Sequence, residues 1–336
     1  MGEFPEPGKE FSKYSYTIPV YSYHQSEEVK ERFRIPWLNL ALFILTIFST
    51  MFFGSYMMHY DPDLRKFWIF LKYHPGWWLD GLPFSLTLMV ILLSHELGHY
   101  FFSRYHQVPA SLPYFIPAPN LVGTFGALIF MKGKIRDRRA LLDIGAAGPL
   151  CGFVVSLFAL WIGIRTAKVI PLDLSAGMVL FNPNILFKLA FSRWLPISDP
   201  ASVIQSPILD AAWVGMFVTM LNLLPIGQLD GGHIAYACLG RFTRYFSWSV
   251  LILMMAVGGI SMLANLLFSE VIFWEGWLFF ALFALLLMGP RGIQHPPPTF
   301  PEIKLDPARW VIAFLAILVF FLTFIPTPFV IMGPAF

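Results

Sequence analysis

Two histidines and a glutamate within five residues are the part of this sequence best suited to chemistry. His95, Glu96 and His99 belong to the segment SHELGH. On an α-helix His95 and His99 share one face, so both imidazoles can reach one metal ion. The carboxylate of Glu96 lies beside them, where it can take a proton from a metal-bound water and pass it on. The spacing therefore predicts a zinc centre with hydrolytic chemistry.

The apolar surroundings of these three residues argue against a chance pattern. They lie within Leu82–Tyr105, which is apolar enough for a membrane span. Each ionisable group near the middle of such a span costs roughly 2.5–3.5 kcal/mol on insertion scales. Metal coordination offsets that cost, whereas random packing does not. A proton or cation relay in a transporter is the alternative interpretation of these residues.

A catalytic zinc takes three protein ligands and keeps one position open, so the two histidines need a partner. Asp230 is the best candidate, because the Gly-rich break Pro225–His233 lets the backbone turn that side chain toward a neighbouring helix. His233 is a rival ligand that the residues alone leave open, although capping a helix or contacting lipid headgroups is the simpler interpretation. Asn222, about two turns upstream, could donate a hydrogen bond to a substrate carbonyl or developing oxyanion.

Other residues near the site are predicted to have structural roles. Asp143, at the start of the third predicted span, is expected to cap a helix N-terminus. Small residues along that span are expected to allow close helix packing around the metal; they include Gly145, Gly148 and Gly152. The remaining histidines lie in predicted loops without a spacing that indicates a site: His24, His59, His74, His106 and His295.

The composition indicates an integral membrane protein. Hydrophobic residues are 57% of the 336 and charged residues 13%, and the mean hydropathy is +0.65. Soluble domains contain about a quarter charged residues, so much of this chain must face lipid. The net charge of +3 gives no indication of nucleic-acid binding. The two cysteines, Cys151 and Cys238, offer neither a disulfide framework nor a thiolate zinc site.

The expected orientation follows from the distribution of Lys and Arg. With the N-terminus inside, 16 of the 23 basic residues fall in cytoplasmic segments and seven outside, which agrees with the positive-inside rule. The densest basic block is Lys132–Arg139. Seven spans of roughly 20 residues are predicted: Trp37–Met58, Leu82–Tyr105, Leu141–Ile164, Ile208–Leu224, Ser247–Leu267, Val271–Met288 and Trp310–Ile325.

One apolar segment, Leu112–Ile135, is broken by several prolines and glycines and is unsuited to a helix. It is predicted to form a β-hairpin or re-entrant loop at membrane depth, with an amphipathic cytoplasmic loop as the alternative. The predicted fold is an all-α polytopic membrane protein. About seven transmembrane helices surround a three-helix catalytic core, with a membrane-associated β-hairpin.

The expected organisation places the catalytic chemistry in the middle of the chain, in residues 81–240. The N-terminal segment lacks the apolar core of a signal peptide, and the outside loop Arg165–Pro207 is too short for an inserted domain. The expected divisions are a cytoplasmic segment (1–36), the first span and outside loop (37–80), a catalytic membrane core (81–240), peripheral spans (241–290), a Pro-rich linker (291–309), and the last span with its tail (310–336).

Taken together, these motifs resemble the site-2 protease family of intramembrane zinc metalloproteases. The resemblance covers Leu82 to about Leu239, nearly half of the chain. The LDGG form at 229–232 resembles the bacterial and plastid branch that includes the ethylene-dependent gravitropism-deficient and yellow-green proteins. The matching elements are HELGH at 95–99, the Gly123–Gly126 stretch with Phe130 and the basic loop, AGP at 147–149, and NLLPIGQLDGG at 222–232.

The resemblance implies a role for each matching residue. Zn²⁺ would be bound by His95, His99 and Asp230, Glu96 would activate water, and Asn222 would help to position the scissile peptide. The hairpin 123–131 would accept an unwound substrate as an added strand; its expected substrate-binding residues are Gly123, Thr124, Phe125 and Gly126.

The resemblance also implies an activity and its partners. The chain is expected to be a zinc metalloendopeptidase that cleaves membrane proteins in or near the bilayer, as in regulated intramembrane proteolysis. The expected partners are a substrate with a transmembrane helix and the lipid bilayer, with no nucleic acid and an undetermined oligomeric state. The bacterial plasma membrane is the default location and a plastid membrane the second. A catalytically silent scaffold, or a metal or ion transporter that retains the metal site, is the alternative function.

Overall fold

The computed structural model describes residues 36–59, 64–171, 178–195, 202–268 and 273–332, and they are mostly helical. A short 3-10 turn, Gly240–Phe242, joins the eighth helix to the ninth. The helices are α1 (Trp37–Met58), α2 (Leu64–Tyr73), α3 (Trp77–Asp80), α4 (Leu82–Tyr105), α5 (Arg138–Thr166), α6 (Ile185–Trp194), α7 (Pro207–Asn222), α8 (Asp230–Leu239), α9 (Thr243–Phe268), α10 (Gly276–Gly292) and α11 (Pro307–Thr323).

Six short strands form three antiparallel pairs, β1 with β2, β3 with β5, and β4 with β6. The latter two pairs lie in the connection between α5 and α7 and after α11. The strands are β1 (Tyr114–Pro117), β2 (Thr124–Leu128), β3 (Lys168–Pro171), β4 (Met178–Phe181), β5 (Ser202–Gln205) and β6 (Phe329–Met332).

Four stretches of the described helices are long and apolar enough to cross a membrane. Three shorter apolar helices accompany them, namely α7, the part of α10 up to Gly289, and α11. These helices make the chain a mostly helical membrane protein, while the count of seven spans stays a prediction. The four long stretches are Trp37–Met58, Trp77–Tyr105, Arg138–Thr166 and Asp230–Phe268.

Helix α5 packs against α4, α7 and α8 and forms the centre of the fold. The approach of α4 to α5 is close, because a Cβ added at Gly98 would lie 2.6 Å from the carbonyl oxygen of Ala147. Helix α7 approaches just as closely, since a Cβ at Gly215 would lie 2.7 Å from Oγ of Ser156. Small residues thus let three apolar helices surround a buried polar site, as is common in membrane bundles.

The start of α5 corrects the prediction for Asp143. The helix begins at Arg138, and its N-cap is Asp137, whose carboxylate accepts hydrogen bonds from two backbone N–H groups. Asp143 therefore lies inside the helix, and its prediction as the N-cap was wrong. Its buried carboxylate instead pairs with Nη2 of Arg309 at 2.6 Å and Nε2 of His106 at 2.8 Å. This ion pair ties α11 and the end of α4 to α5.

The segment with many prolines and glycines forms paired strands. In β1 and β2, Tyr114 pairs with Leu128 and Pro117 pairs with Thr124. Gly123 has φ +82°, and a Cβ there would lie 2.7 Å from the carbonyl oxygen of Ser49 on α1. Only glycine suits both the conformation and the close contact. The placement of these strands at membrane depth stays a prediction.

Candidate metal centre

Three side chains from two separate helices converge on one buried point. Nε2 of His95 lies 3.2 Å from Oδ2 of Asp230, and Nε2 of His99 lies 3.2 Å from Oδ1. The two Nε2 atoms are 3.1 Å apart. Both histidines are buried and Asp230 is partly buried. Tertiary folding thus brings together the three ligands suggested by the sequence.

Helix α4 and a carbonyl of α5 orient the histidine pair. His95 and His99 follow one another by one helical turn, so their rings lie on one face. Nδ1–H of His99 donates a hydrogen bond to the carbonyl oxygen of Ile144 at 2.8 Å. With the hydrogen on Nδ1, Nε2 carries a lone pair that can bind a metal ion, and this atom is on the side of the ring that faces Asp230. This support from a neighbouring carbonyl is typical of metal-ligating histidines.

A tight turn after α7 presents the carboxylate. Asp230 is the first residue of α8, and the chain reaches it through a turn in which Gly227 has φ +54°. The start of α8 lies directly against this turn. A Cβ added at Gly231 would be 2.0 Å from the carbonyl oxygen of Leu223, and one at Gly232 would be 2.2 Å from that of Gly227. The two glycines after Asp230 therefore allow the turn to fold back and bring the carboxylate to α4.

The donor set fits a transition-metal ion. Two imidazole nitrogens and a carboxylate oxygen lie within 4.8 Å of one another in the group His95, His99 and Asp230. Ligand atoms around a tetrahedral zinc at 2.0–2.1 Å are roughly 3.3 Å apart, close to the 3.1–3.2 Å separations between these side chains. Three protein ligands leave a position open, as in catalytic rather than structural zinc sites.

Glu96 and Asn222 also lie at this centre. Glu96 is 6% exposed and occupies the helix position next to His95. Nδ2 of Asn222, the last residue of α7, lies 3.3 Å from Nε2 of His95. The structure thus places a carboxylate and an amide beside the three converging ligands, and their catalytic roles stay proposals.

The predicted substrate-binding residues lie on β2, which packs against α1 and α4. Phe125 is 66% exposed, whereas Thr124 is buried and donates a hydrogen bond from Oγ to the carbonyl oxygen of Ile116 at 2.8 Å. Gly126 has φ +92°, with open space where a Cβ would be. The hairpin is therefore next to the helix that carries both histidines, and its contact with a substrate stays a prediction.

His233, the rival ligand, points to another partner. Its Nδ1 lies 2.5 Å from Nε2 of His295, a residue 62 positions away. Among the described residues, the potential metal-ligating group contains His95, His99 and Asp230 but not His233. The His233–His295 contact could not be predicted, because the Pro-rich linker that carries His295 has no periodicity from which its neighbours could be inferred.

Gly148 leads to a prediction about the metal affinity. A Cβ added there would lie 2.0 Å from Nε2 of His99, so Gly148→Ala must displace that imidazole or move α5 away from α4. We expect the zinc affinity to fall at least ~10-fold, the lower end of what disturbed outer-shell partners cost. Competition with a chromophoric chelator measures it.

The matched control for this substitution is Gly259→Ala on α9, where an added Cβ has nothing within 4 Å. That variant should bind zinc as the wild type does. Equal affinity in Gly148→Ala and wild type would contradict this prediction, because it would show that the closer packing of α5 against His99 does not affect zinc binding.

Comparison with known proteins places this geometry in a family. The model for peptidase family M50 matches residues 83–265, more than half of the chain. The match includes α4, α5, α7 and α8, the helices that build the metal centre. A search of solved structures finds no significant match.

Curated plant proteins are similar over much of the chain. The probable zinc metalloprotease EGY2, chloroplastic, of Arabidopsis thaliana is 31% identical over 260 residues, which are 76% of this chain and 43% of that protein. The probable zinc metalloprotease EGY1, chloroplastic, of the same plant is 33% identical over 222 residues, 61% of this chain and 40% of that protein. The probable zinc metalloprotease EGY2, chloroplastic, of Oryza sativa subsp. indica is 31% identical over 255 residues, which are 74% of this chain and 43% of that protein.

The chain thus spans about two fifths of the length of these relatives. Their names and the family match confirm the resemblance that the motifs indicated. Because the family model covers more than half of the chain, including every helix of the metal centre, the chain belongs to peptidase family M50.

Proposed function

We propose that this chain is a zinc metalloprotease that hydrolyses peptide bonds of membrane-protein substrates in or beside the bilayer. The observation that carries the proposal is the convergence of His95, His99 and Asp230 beside Glu96 within a bundle of apolar helices. Membership of peptidase family M50 and relatives named zinc metalloproteases support it. In this proposal the three converging side chains bind the zinc.

The side chains around the centre suit peptide hydrolysis. Bound zinc would supply Lewis-acid polarisation of a carbonyl and a lower pKa for water. Glu96 would accept the proton of the attacking water and deliver it to the leaving amine nitrogen. The amide of Asn222 would donate a hydrogen bond to the oxygen that becomes negative in the transition state. Ile144 would hold His99 in the required tautomer through its carbonyl oxygen.

The substrate is proposed to bind as an extended segment. A helical peptide shields its carbonyls in its own hydrogen bonds, so a transmembrane substrate must unwind locally before hydrolysis. The pair β1–β2 is two-stranded and lies against α4, so it offers an edge to which an extended segment could add. Main-chain pairing at residues 123–126 would select for extended backbone rather than for one sequence.

The cellular setting is also proposed. The curated relatives are named chloroplastic, so they do not support the bacterial plasma membrane as a default, whereas a plastid membrane agrees with them. Cleavage of membrane proteins as a regulated step is the finer proposal, and it rests on the family rather than on a substrate.

Removal and return of the metal test the proposal directly. The purified chain is reconstituted into liposomes with a solubilised mixture of membrane proteins, and new N-termini are labelled and sequenced by mass spectrometry. We expect new termini within apolar segments when zinc is present. They should fall at least ~100-fold after treatment with 1,10-phenanthroline, since the metal supplies several kcal/mol of transition-state stabilisation. Added zinc should restore them.

Two outcomes would contradict the proposal. Cleavage that persists without metal would indicate a contaminating or metal-independent protease. A zinc-loaded chain that yields no new termini with any membrane protein offered would favour the scaffold or transporter alternative.

A further inference from the structure

A cavity of about 520 Å³, lined by both polar and apolar groups, lies apart from the potential metal-ligating group. It is bordered by the end of α8, the 3-10 turn, the start of α9 and the linker that follows α10. Its polar lining includes Tyr236, Arg241, Arg244, Tyr245, Gln294 and His295. The proposed proteolysis uses none of these side chains, so the cavity needs an explanation of its own.

The charges around the cavity are positive. Arg241 and Arg244 both line it, and within the described ranges neither guanidinium has a carboxylate within salt-bridge distance. The Arg241 guanidinium lies 5.7 Å from the ring centroid of Phe242. The described lining contains no Asp or Glu. Two arginines without acidic partners beside one cavity favour an anionic ligand.

Beside the arginines, two tyrosine hydroxyls and one amide can donate hydrogen bonds to such an anion, whereas His295 adds no charge. Nε2 of His295 contacts Nδ1 of His233, while Nδ1 of His295 is buried and has no hydrogen-bond partner among the described residues. Burial lowers the pKa of His295, in the linker outside the spans, to about 4. The imidazole is therefore neutral at pH 7, and the positive charge of the cavity comes from the two arginines. The hydroxyls of Tyr236 and Tyr245 and the Gln294 amide are further donors.

We propose that this cavity binds a phosphate group, and that the phosphate belongs to the headgroup of an anionic phospholipid. Arg recognises phosphate through paired N–H donors, and basic pockets at the ends of transmembrane helices bind such headgroups. The residues beside the cavity are exposed aromatics, since Phe242 is 61%, Tyr245 69% and Phe246 46% exposed. Aromatic residues at this exposure are typical of the membrane interface, which favours a lipid over a phosphate dissolved in water.

The cavity borders α8, the helix that begins at Asp230, one of the three proposed metal ligands. Tyr236 and His233 lie on α8, which begins at Asp230, and the His295 ring centroid is 5.1 Å from that of Tyr236 and 4.6 Å from that of His233. A bound phosphate would hold the linker against α8. The binding proposal does not depend on the proposed protease activity.

Retention of lipid by purified protein tests the site. The full chain is purified in a neutral detergent, incubated with phosphatidylglycerol or phosphatidylcholine, and analysed by native mass spectrometry. We expect phosphatidylglycerol to bind at one saturable site. Its affinity should fall on the order of 30-fold in the double variant Arg241→Gln/Arg244→Gln, because each arginine beside an anionic lipid contributes about fivefold to the affinity and the two factors multiply.

The matched control removes two exposed cations elsewhere, in the double variant Arg104→Gln/Lys134→Gln. It should retain phosphatidylglycerol as the wild type does. An equal loss in both double variants would overturn the proposal, because it would indicate general attraction between a basic surface and an anionic lipid. Circular dichroism of both variants checks that the helices are intact.

A second measurement separates the two sources of phosphate. The midpoint of thermal unfolding is followed in phosphatidylcholine nanodiscs with 10% phosphatidylglycerol, and in pure phosphatidylcholine nanodiscs with inorganic phosphate. A rise only with the anionic lipid, lost in Arg241→Gln/Arg244→Gln, supports the headgroup. A rise with inorganic phosphate alone would overturn the lipid assignment, and no rise with either would overturn the phosphate site.

Discussion

Replacement of Glu96 by Gln should abolish proteolysis while leaving the metal in place. The amide has the size of the carboxylate but cannot accept a proton from water at neutral pH. General acid–base catalysis typically contributes 10²–10⁴-fold to a rate, so we expect kcat to fall by about that factor. Because Glu96 is not among the three converging ligands, zinc bound per chain should match the wild type in inductively coupled plasma mass spectrometry.

The matched control is Glu302→Gln, an exposed glutamate in the linker before α11. It makes the same change of charge and should keep the wild-type rate and zinc content. A Glu96→Gln protein that still cleaves within a few-fold of the wild-type rate would remove Glu96 from the proposed mechanism. Loss of zinc from that variant would instead assign the carboxylate to the metal.

Replacement of Asp230 by Ala should have the opposite signature, loss of the metal and of the activity together. The substitution deletes the acidic member of the converging group and leaves two imidazoles whose Nε2 atoms are 3.1 Å apart. Disturbing even the outer-shell partners of a metal ligand costs about 10–100-fold in affinity, so deleting the ligand should cost more than about 100-fold. Chelator competition measures the affinity, and the same cleavage assay measures the rate.

His233→Gln is the informative comparison for Asp230→Ala. His233 follows Asp230 on the same helix but contacts His295 rather than the metal-ligating group. We expect this variant to retain wild-type zinc affinity. Zinc retained in Asp230→Ala and lost in His233→Gln would exchange the roles of the two residues and restore the rival ligand that the sequence left open.

The two variants separate what the metal does from what the carboxylate does. Glu96→Gln tests proton transfer at a centre that has zinc bound, whereas Asp230→Ala tests whether zinc binds to the centre. A shared loss of activity with opposite metal contents would place the two side chains in different roles, which the cleavage assay alone cannot do.

Local spacing was sufficient to predict one half of the centre. His95, Glu96 and His99 lie on one helix, and helical geometry fixes which face a side chain occupies once its position in the sequence is known. The boundaries of α1 and α4 were predictable for a similar reason, because long apolar runs between polar ends can form little else in a membrane. The cost of burying three ionisable groups there indicated a metal before any fold was known.

The third member of the converging group could be identified only from the tertiary structure. Asp230 is 135 positions from His95, and the residues alone left His233 as an alternative. The contacts of Gly231 and Gly232 with the preceding turn decide which side chain faces α4. Such packing between backbone atoms distant in the chain has no periodic signature in the sequence.

The other differences between the sequence-based predictions and the structure also come from contacts between residues distant in the chain. Asp143 was predicted as a helix cap because an acid near a helix start commonly has that role. Its ion pair with Arg309 joins residues 166 positions apart, and the contact of His233 with His295 spans 62. The sequence by itself determined that the helices are apolar enough for a membrane and that the two histidines share one helix face, because these follow from composition and helical period. Only the tertiary structure decided the partners of each charged group, because those depend on how separate helices pack against one another.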